Sequence, residues 1–163
     1  MKVLLVLLAA VFIADAAFAA PPALNPATSF IMPADHARDL LRQCSRNTPQ
    51  GVQGAWLPDA AQIRELEAEL PQALAKARGP GAQQMRPGYR RQYGGIVIAG
   101  RRYIYVNAFP ASVIDFDGTD AAVWAKKART EAVIVCDGGP DFFVVVYDPA
   151  SKTFRDFAFN GFA

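Results

Sequence analysis

The chain has 163 residues, 17 of them basic and 15 acidic, for a formal charge of +2. So weak a balance creates no field that would gather nucleic acid or an anionic membrane surface. A single histidine and only two cysteines leave the common Ser–His and Cys–His nucleophile pairs little to draw on.

The first residues, MKVLLVLLAAVFIADAAFAA, join one basic residue to a short apolar run and a small-residue end. This is the pattern of a secretory signal peptide over residues 1–19, with Ala17, Phe18 and Ala19 as the cleavage signal. The run is too short to cross about 30 Å of hydrocarbon, so no transmembrane segment is expected in the mature chain. What remains, roughly 140 residues, suffices for one core. The expected location is periplasmic or secreted, after cleavage near Ala19.

Residues 20–32 have no period and read as an extended lead-in to a single domain over 33–163. PADHARDLLRQCSR follows as a helix, with Ala37, Leu40, Leu41 and Cys44 at the spacing of one buried stripe. Residues 47–57 carry Pro49, Gly51 and Gly54 and read as a loop, with Trp56 folding back onto the core. A second helix begins after Pro58, capped by Asp59 with Gln62 in capping-box position. Its apolar positions are Ile63, Leu66, Leu70 and Leu74, and Gly79 stops it. Pro71 removes one helical hydrogen bond and predicts a kink or break near residues 67–70.

Residues 79–92 read as a flexible basic connection. GGIVIAG and RRYIYVNAF are strands around a two-residue Gly100-Arg101 turn, compatible with type II′. A short helix over 120–129 is capped by Thr119 or Asp120. EAVIVCD, FFVVVYD and TFRDFAFN are three more strands. The second is apolar on both faces and is expected to lie centrally; in the third, Phe157 and Phe159 share one face and Phe154, Asp156 and Ala158 the other. The order α-α-β-β-α-β-β-β gives an α+β fold, a five-stranded, mainly antiparallel sheet with helices on one face.

In an oxidising compartment the two cysteines, Cys44 and Cys136, are expected to form a disulfide, buried and stapling the helical layer to the sheet. No GxSxG, HExxH or CxxC motif and no phosphate-cradling glycine loop occurs, and no catalytic residue, metal ligand or cofactor is assigned. Asp115, Asp117 and Thr119 in the run Asp115-Phe116-Asp117-Gly118-Thr119-Asp120 place oxygens at alternate positions, as calcium ligands do, but Asp120 and Lys126 stand where an EF-hand loop needs glycine and glutamate. The stretch reads as a turn before a helix cap. MRPGYRRQY mixes arginine with tyrosine, and Arg101 and Arg102 at the hairpin tip extend that patch. Asp137 and Asp141 flank Gly138, Gly139 and Pro140 in DGGPD; proline has no N–H to close a two-residue turn, so a longer loop carrying both aspartates in solvent is expected. Arg90, Arg91, Arg101, Arg102, Asp137 and Asp141 are the candidate partner-binding residues.

CSRNTPQGVQGAWLPDAAQIRELEAEL, RRQYGGIVIAGRRYIYVNAF and VCDGGPDFFVVVYDPASKTFRDFAFNG together resemble a group of small, uncharacterised exported proteins of Gram-negative bacteria. The resemblance implies export and transfers no functional residue. The expectation is a small exported binding protein, of the inhibitor or immunity type, with a protein partner in the envelope or outside the cell. The alternatives are an exported hydrolase using aspartates, with or without a metal, and an envelope-associated structural protein.

Overall fold

The computed structural model describes residues 23–79, 88–113 and 119–161. The signal-peptide reading, the 115–118 part of the calcium reading and residues 85–87 of the basic stretch lie outside the described residues. In chain order the elements are β1 (Ser29–Ile31), β2 (Val52–Trp56), α1 (Ala60–Arg78), β3 (Arg90–Ile98), β4 (Arg101–Phe109), α2 (Ala121–Lys127), β5 (Phe143–Asp148) and β6 (Thr153–Phe159). Short 3-10 turns occupy Ala37–Leu41, Ala111–Val113 and Gly139–Asp141. The fold is α+β, with two α-helices and a mostly antiparallel open sheet.

The sheet has six strands rather than five, in the order β1-β3-β4-β5-β6, with β2 also on β3. β1 pairs parallel with the first half of β3 and β2 antiparallel with its second half. The two thus share one edge. β3 to β6 follow as an antiparallel meander. β5 is buried at every position, as its apolar pattern suggests, and β4 holds the centre.

α1 forms where the periodicity places it. Asp59 accepts from the Gln62 N–H at 2.8 Å and the Gln62 side chain accepts from the Asp59 N–H at 3.0 Å, completing the capping box. Pro71 does not break it: the helix runs through, with Pro71 exposed and Leu66, Leu70 and Leu74 buried to either side. That burial outweighs one lost hydrogen bond. Ile63, Leu66, Leu70 and Leu74 pack on Tyr93, Ile104, Val106, Val145 and Tyr147. Fixing this contact, Glu67 pairs with Arg91 at 2.8 Å and accepts from the Tyr93 hydroxyl at 2.7 Å.

The opposite face is built differently. Tyr103, Tyr105, Val144 and Val146 there are covered by Met32 and Leu40, while α2 sets Trp124 against Phe30 and Phe109. Helical structure therefore lies on both faces, not one. The expected first helix is only the 3-10 turn Ala37–Leu41; it buries Ala37 and Leu40, after which the chain leaves the helical path and Cys44 is exposed.

EAVIVCD is not a strand. Its backbone is held by side chains from the sheet: Asn107 donates to the Val133 carbonyl at 2.8 Å, the Val133 N–H donates to Gln92 Oε1 at 2.8 Å, and Asn160 donates to the Val135 carbonyl at 2.6 Å. Arg46 reaches into the same cluster, donating to Asn107, Asn160 and Gln43. The disulfide Cys44–Cys136 ties the two irregular segments together, with 5.1 Å between Cα atoms. Both half-cystines are exposed, so it is a surface strap over the sheet and not a buried staple.

Two turns differ from expectation. Ile98 pairs with Arg101, so the β3–β4 turn is Ala99-Gly100, and φ of 49° and 75° gives it the type I′ form. On β6, Val144 faces Ala158 but Val146 faces Arg155, leaving Asp156 as an extra residue in a bulge at φ 57°. The bulge turns Phe154 onto the face of Phe157 and Phe159, where the three rings line up beside Tyr147 and Phe143.

Candidate functional site: the hairpin end of the sheet

The β3–β4 and β5–β6 turns lie side by side, because Arg101 at the start of β4 bonds Asp148 at the end of β5 at 2.7 Å. Asp148 also accepts from the Ala150 and Ser151 N–H groups at 2.9 and 3.3 Å, which shapes the second turn. Burial alone would raise its pKa, but those donors and Arg101 outweigh burial and hold the carboxyl below its usual range.

Three arginines at this end lie over aromatic rings. Arg102 sits 5.2 Å from the centre of the Trp56 ring on the α1 face. On the other face Arg101 and Arg155 lie 5.8 and 4.3 Å from the centre of Tyr103. Trp56 is fixed in place by its indole N–H, which donates to the Ile96 and Tyr103 carbonyls at 3.2 and 3.1 Å. Gly95 makes this approach possible, since a Cβ there would come within 2.2 Å of the Trp56 carbonyl oxygen. A guanidinium over a ring keeps its edge N–H groups directed outward. Beside them, Gln62, Arg101, Arg102, Asp148, Pro149 and Ala150 line an open pocket of about 400 Å³.

The six residues expected to contact a partner do not form one surface. Arg101 and Arg102 are exposed at the hairpin end. Arg90 is half-buried, its guanidinium 5.1 Å from the Trp124 ring centre. Arg91 is taken up by Glu67, Tyr93 and the Tyr89 carbonyl. Burial would lower the Arg91 pKa, but Tyr93 and Glu67 beside it raise it overall.

Asp137 and Asp141 lie at the far end of the meander, about 25 Å from the β3–β4 turn by the length of β4. DGGPD is a one-turn 3-10 element rather than a hairpin loop. Gly139 has φ 66°, and a Cβ on Gly138 would meet the Phe142 ring at 2.2 Å. Arg78 donates to the Pro140 carbonyl at 2.7 Å and Tyr89 to the Asp141 carbonyl at 2.6 Å. Asp137 is exposed and lines, with Ser112, Val113, Val135, Gly138 and Phe142, a mainly apolar pocket of about 440 Å³. Asp141 is half-buried rather than at a solvated tip. Asp120 caps α2, accepting from the Ala122 and Val123 N–H groups.

Sequence reasoning missed Trp56 and Arg155 as members of the hairpin end. Pro49, Gly51 and Gly54 make residues 47–57 read as a loop, whereas the spacing of Val52, Gly54 and Trp56 is the sequence cue to the strand β2. Among the described residues no group of three or more His, Cys, Asp or Glu side chains could hold a metal ion, and no helix is long and apolar enough to cross a membrane. No family model, curated protein or solved structure matches the chain.

Proposed function

We propose that this is a small exported binding protein that engages a protein partner through the hairpin end of its sheet, in the manner of an inhibitor or immunity protein. The observation that carries this reading is the set of three arginines stacked over Trp56 and Tyr103. Tryptophan, tyrosine and arginine are the residue types that dominate binding energy at protein interfaces. Held against rings, these arginines lose less side-chain freedom on binding than free ones would. The paired turns between them lie next to an open pocket. Export supplies the oxidising surroundings that the surface disulfide needs.

The test is affinity capture from envelope extracts with the exported, oxidised protein and with its Arg101→Ala/Arg102→Glu variant. A protein enriched by the wild type and lost with the variant is the expected result. The reading fails if nothing enriches over an unrelated exported domain, or if the variant retains the same protein.

A further inference from the structure

At the end of the meander away from the hairpin turns, Val113 and Phe142 pack against the cluster of Phe30, Phe109 and Trp124. Both also line the pocket of about 440 Å³ that Asp137 shares. We propose that this pocket binds a small hydrophobic amine, with its apolar body among Val113, Val135 and Phe142 and its ammonium on the Asp137 carboxylate.

The carboxylate carries the argument. Glu67 and Asp148 are each taken up by an arginine, and Asp59 and Asp120 cap helices. Asp137 is exposed and has no hydrogen-bond or ion-pair partner among the described residues. It is also the one ionisable residue among the described residues that line the pocket. A pocket of this kind selects twice: the apolar walls take an apolar body, and the single polar group fixes its orientation and the sign of its charge. Ser112 lines the same pocket, and its hydroxyl oxygen can accept a second of the three N–H groups of an ammonium. The volume stands near the lower end of the range of small-molecule sites, about 300 to 1,000 Å³, which suits a body of one ring.

The walls are held from outside the pocket. The Val135 carbonyl accepts from Asn160 at 2.6 Å, and Cys136, between Val135 and Asp137, is tied to Cys44. The Gly139 N–H donates to the Gly161 carbonyl at 3.1 Å, and the Phe142 carbonyl accepts from the Asn160 N–H at 2.9 Å. Gly138 lets the Phe142 ring lie against the backbone, since a Cβ there would meet the ring at 2.2 Å. A ligand therefore enters a site already formed, with little ordering of the protein to offset its binding. Because the pocket lies at the other end of β4 from Arg101 and Arg102, its occupancy stands or falls apart from the partner-binding reading.

The experiment titrates the exported, oxidised protein with phenylethylamine, phenylethanol and phenylpropionate, three probes that share a ring and differ in charge, and follows backbone amide shifts by NMR. Phenylethylamine is expected to shift Ser112, Val113, Val135, Gly138 and Phe142 together. Phenylethanol should bind the same residues about fivefold more weakly, the scale of one accessible ion pair, and phenylpropionate more weakly still. Asp137→Asn should bring the amine down to the level of the alcohol and leave the alcohol unchanged. Asp137→Lys should reverse the order, so that phenylpropionate binds best. Asp137 is exposed and without a partner among the described residues, so both variants should fold, and melting curves matching wild type establish it. Absence of amine shifts through the millimolar range overturns the proposal. So do shifts centred outside the pocket, equal binding of amine and alcohol, or full amine affinity in the folded Asp137→Asn variant.

Discussion

The two faces of the sheet are held by different physics. The α1 face is an apolar contact, with four leucine and isoleucine side chains of one helix against aliphatic and aromatic rows of β3, β4 and β5. On the other face, segments without regular structure are bonded to the sheet by the side chains of Gln92, Asn107, Asn160 and Arg46 and strapped by one disulfide. An apolar contact degrades gradually as atoms are removed. A polar lattice fails by leaving buried partners unsatisfied, and a strap acts mainly by restricting the unfolded chain.

Removing the strap should have the largest effect. Cys44→Ser/Cys136→Ser opens a loop with a sequence separation of 92, which the chain-entropy relation values at about 4 to 5 kcal/mol. Chemical denaturation should register most of that loss. Hydrogen exchange should accelerate most in residues 42–50 and 131–138, with α1 and β3 to β5 losing protection only by the fall in global stability. Equal loosening of α1 would mean that the two faces are not separable as described. Thiol titration of the denatured, unreduced wild type should find close to no free thiol.

Leu70→Ala strikes the other face. Leu70 is fully buried beneath α1, and the cavity left behind should cost about 3 kcal/mol. Here exchange should rise in α1 and the strands beneath it, with little change at 131–138. Asn107→Ala is the polar counterpart. It removes both donors to Gln92 and Val133 and the acceptor for Arg46, for a cost of about 2 kcal/mol, and it should free residues 131–136 preferentially.

The same division explains what the sequence revealed. Hydrophobic period announces an element whose energy comes from burial, so α1 was visible in Ile63, Leu66, Leu70 and Leu74, and β4 and β5 in their apolar runs. Pro71 reads as a break in the sequence because the hydrogen bond it removes is local, whereas the packing of Leu66, Leu70 and Leu74 that overrides this loss is tertiary. On the strapped face, the continuous apolar run in EAVIVCD is that of a strand, yet its backbone bonds end on Gln92, Asn107 and Asn160, far away in sequence; no local pattern encodes that. The disulfide pairing could be read because only two cysteines exist, but its exposure depended on where the chain turned after Leu41. At the hairpin end, Arg101 and Arg102 were legible as a tip. Trp56 and Arg155 were not, because β2 reaches β3 through Gly95 and the bulge at Asp156 appears only once β5 and β6 are in register.

The smallest expected effect tests the electrostatics of the hairpin end. Asp148→Asn keeps an acceptor oxygen for the Ala150 and Ser151 N–H groups but loses the charge opposite Arg101. Because the native carboxyl is held below its ordinary value, its contribution is fully present above the unfolded value of about 4. It is lost as pH falls through the depressed native value. The wild type should therefore exceed the variant in stability near pH 6, and the gap should close as the solution is taken below about pH 4. Denaturation midpoints across that range measure it. A gap that stays constant with pH would show that Asp148 shapes the turn through its geometry alone, leaving Arg101 held at the hairpin end by its stacking on Tyr103.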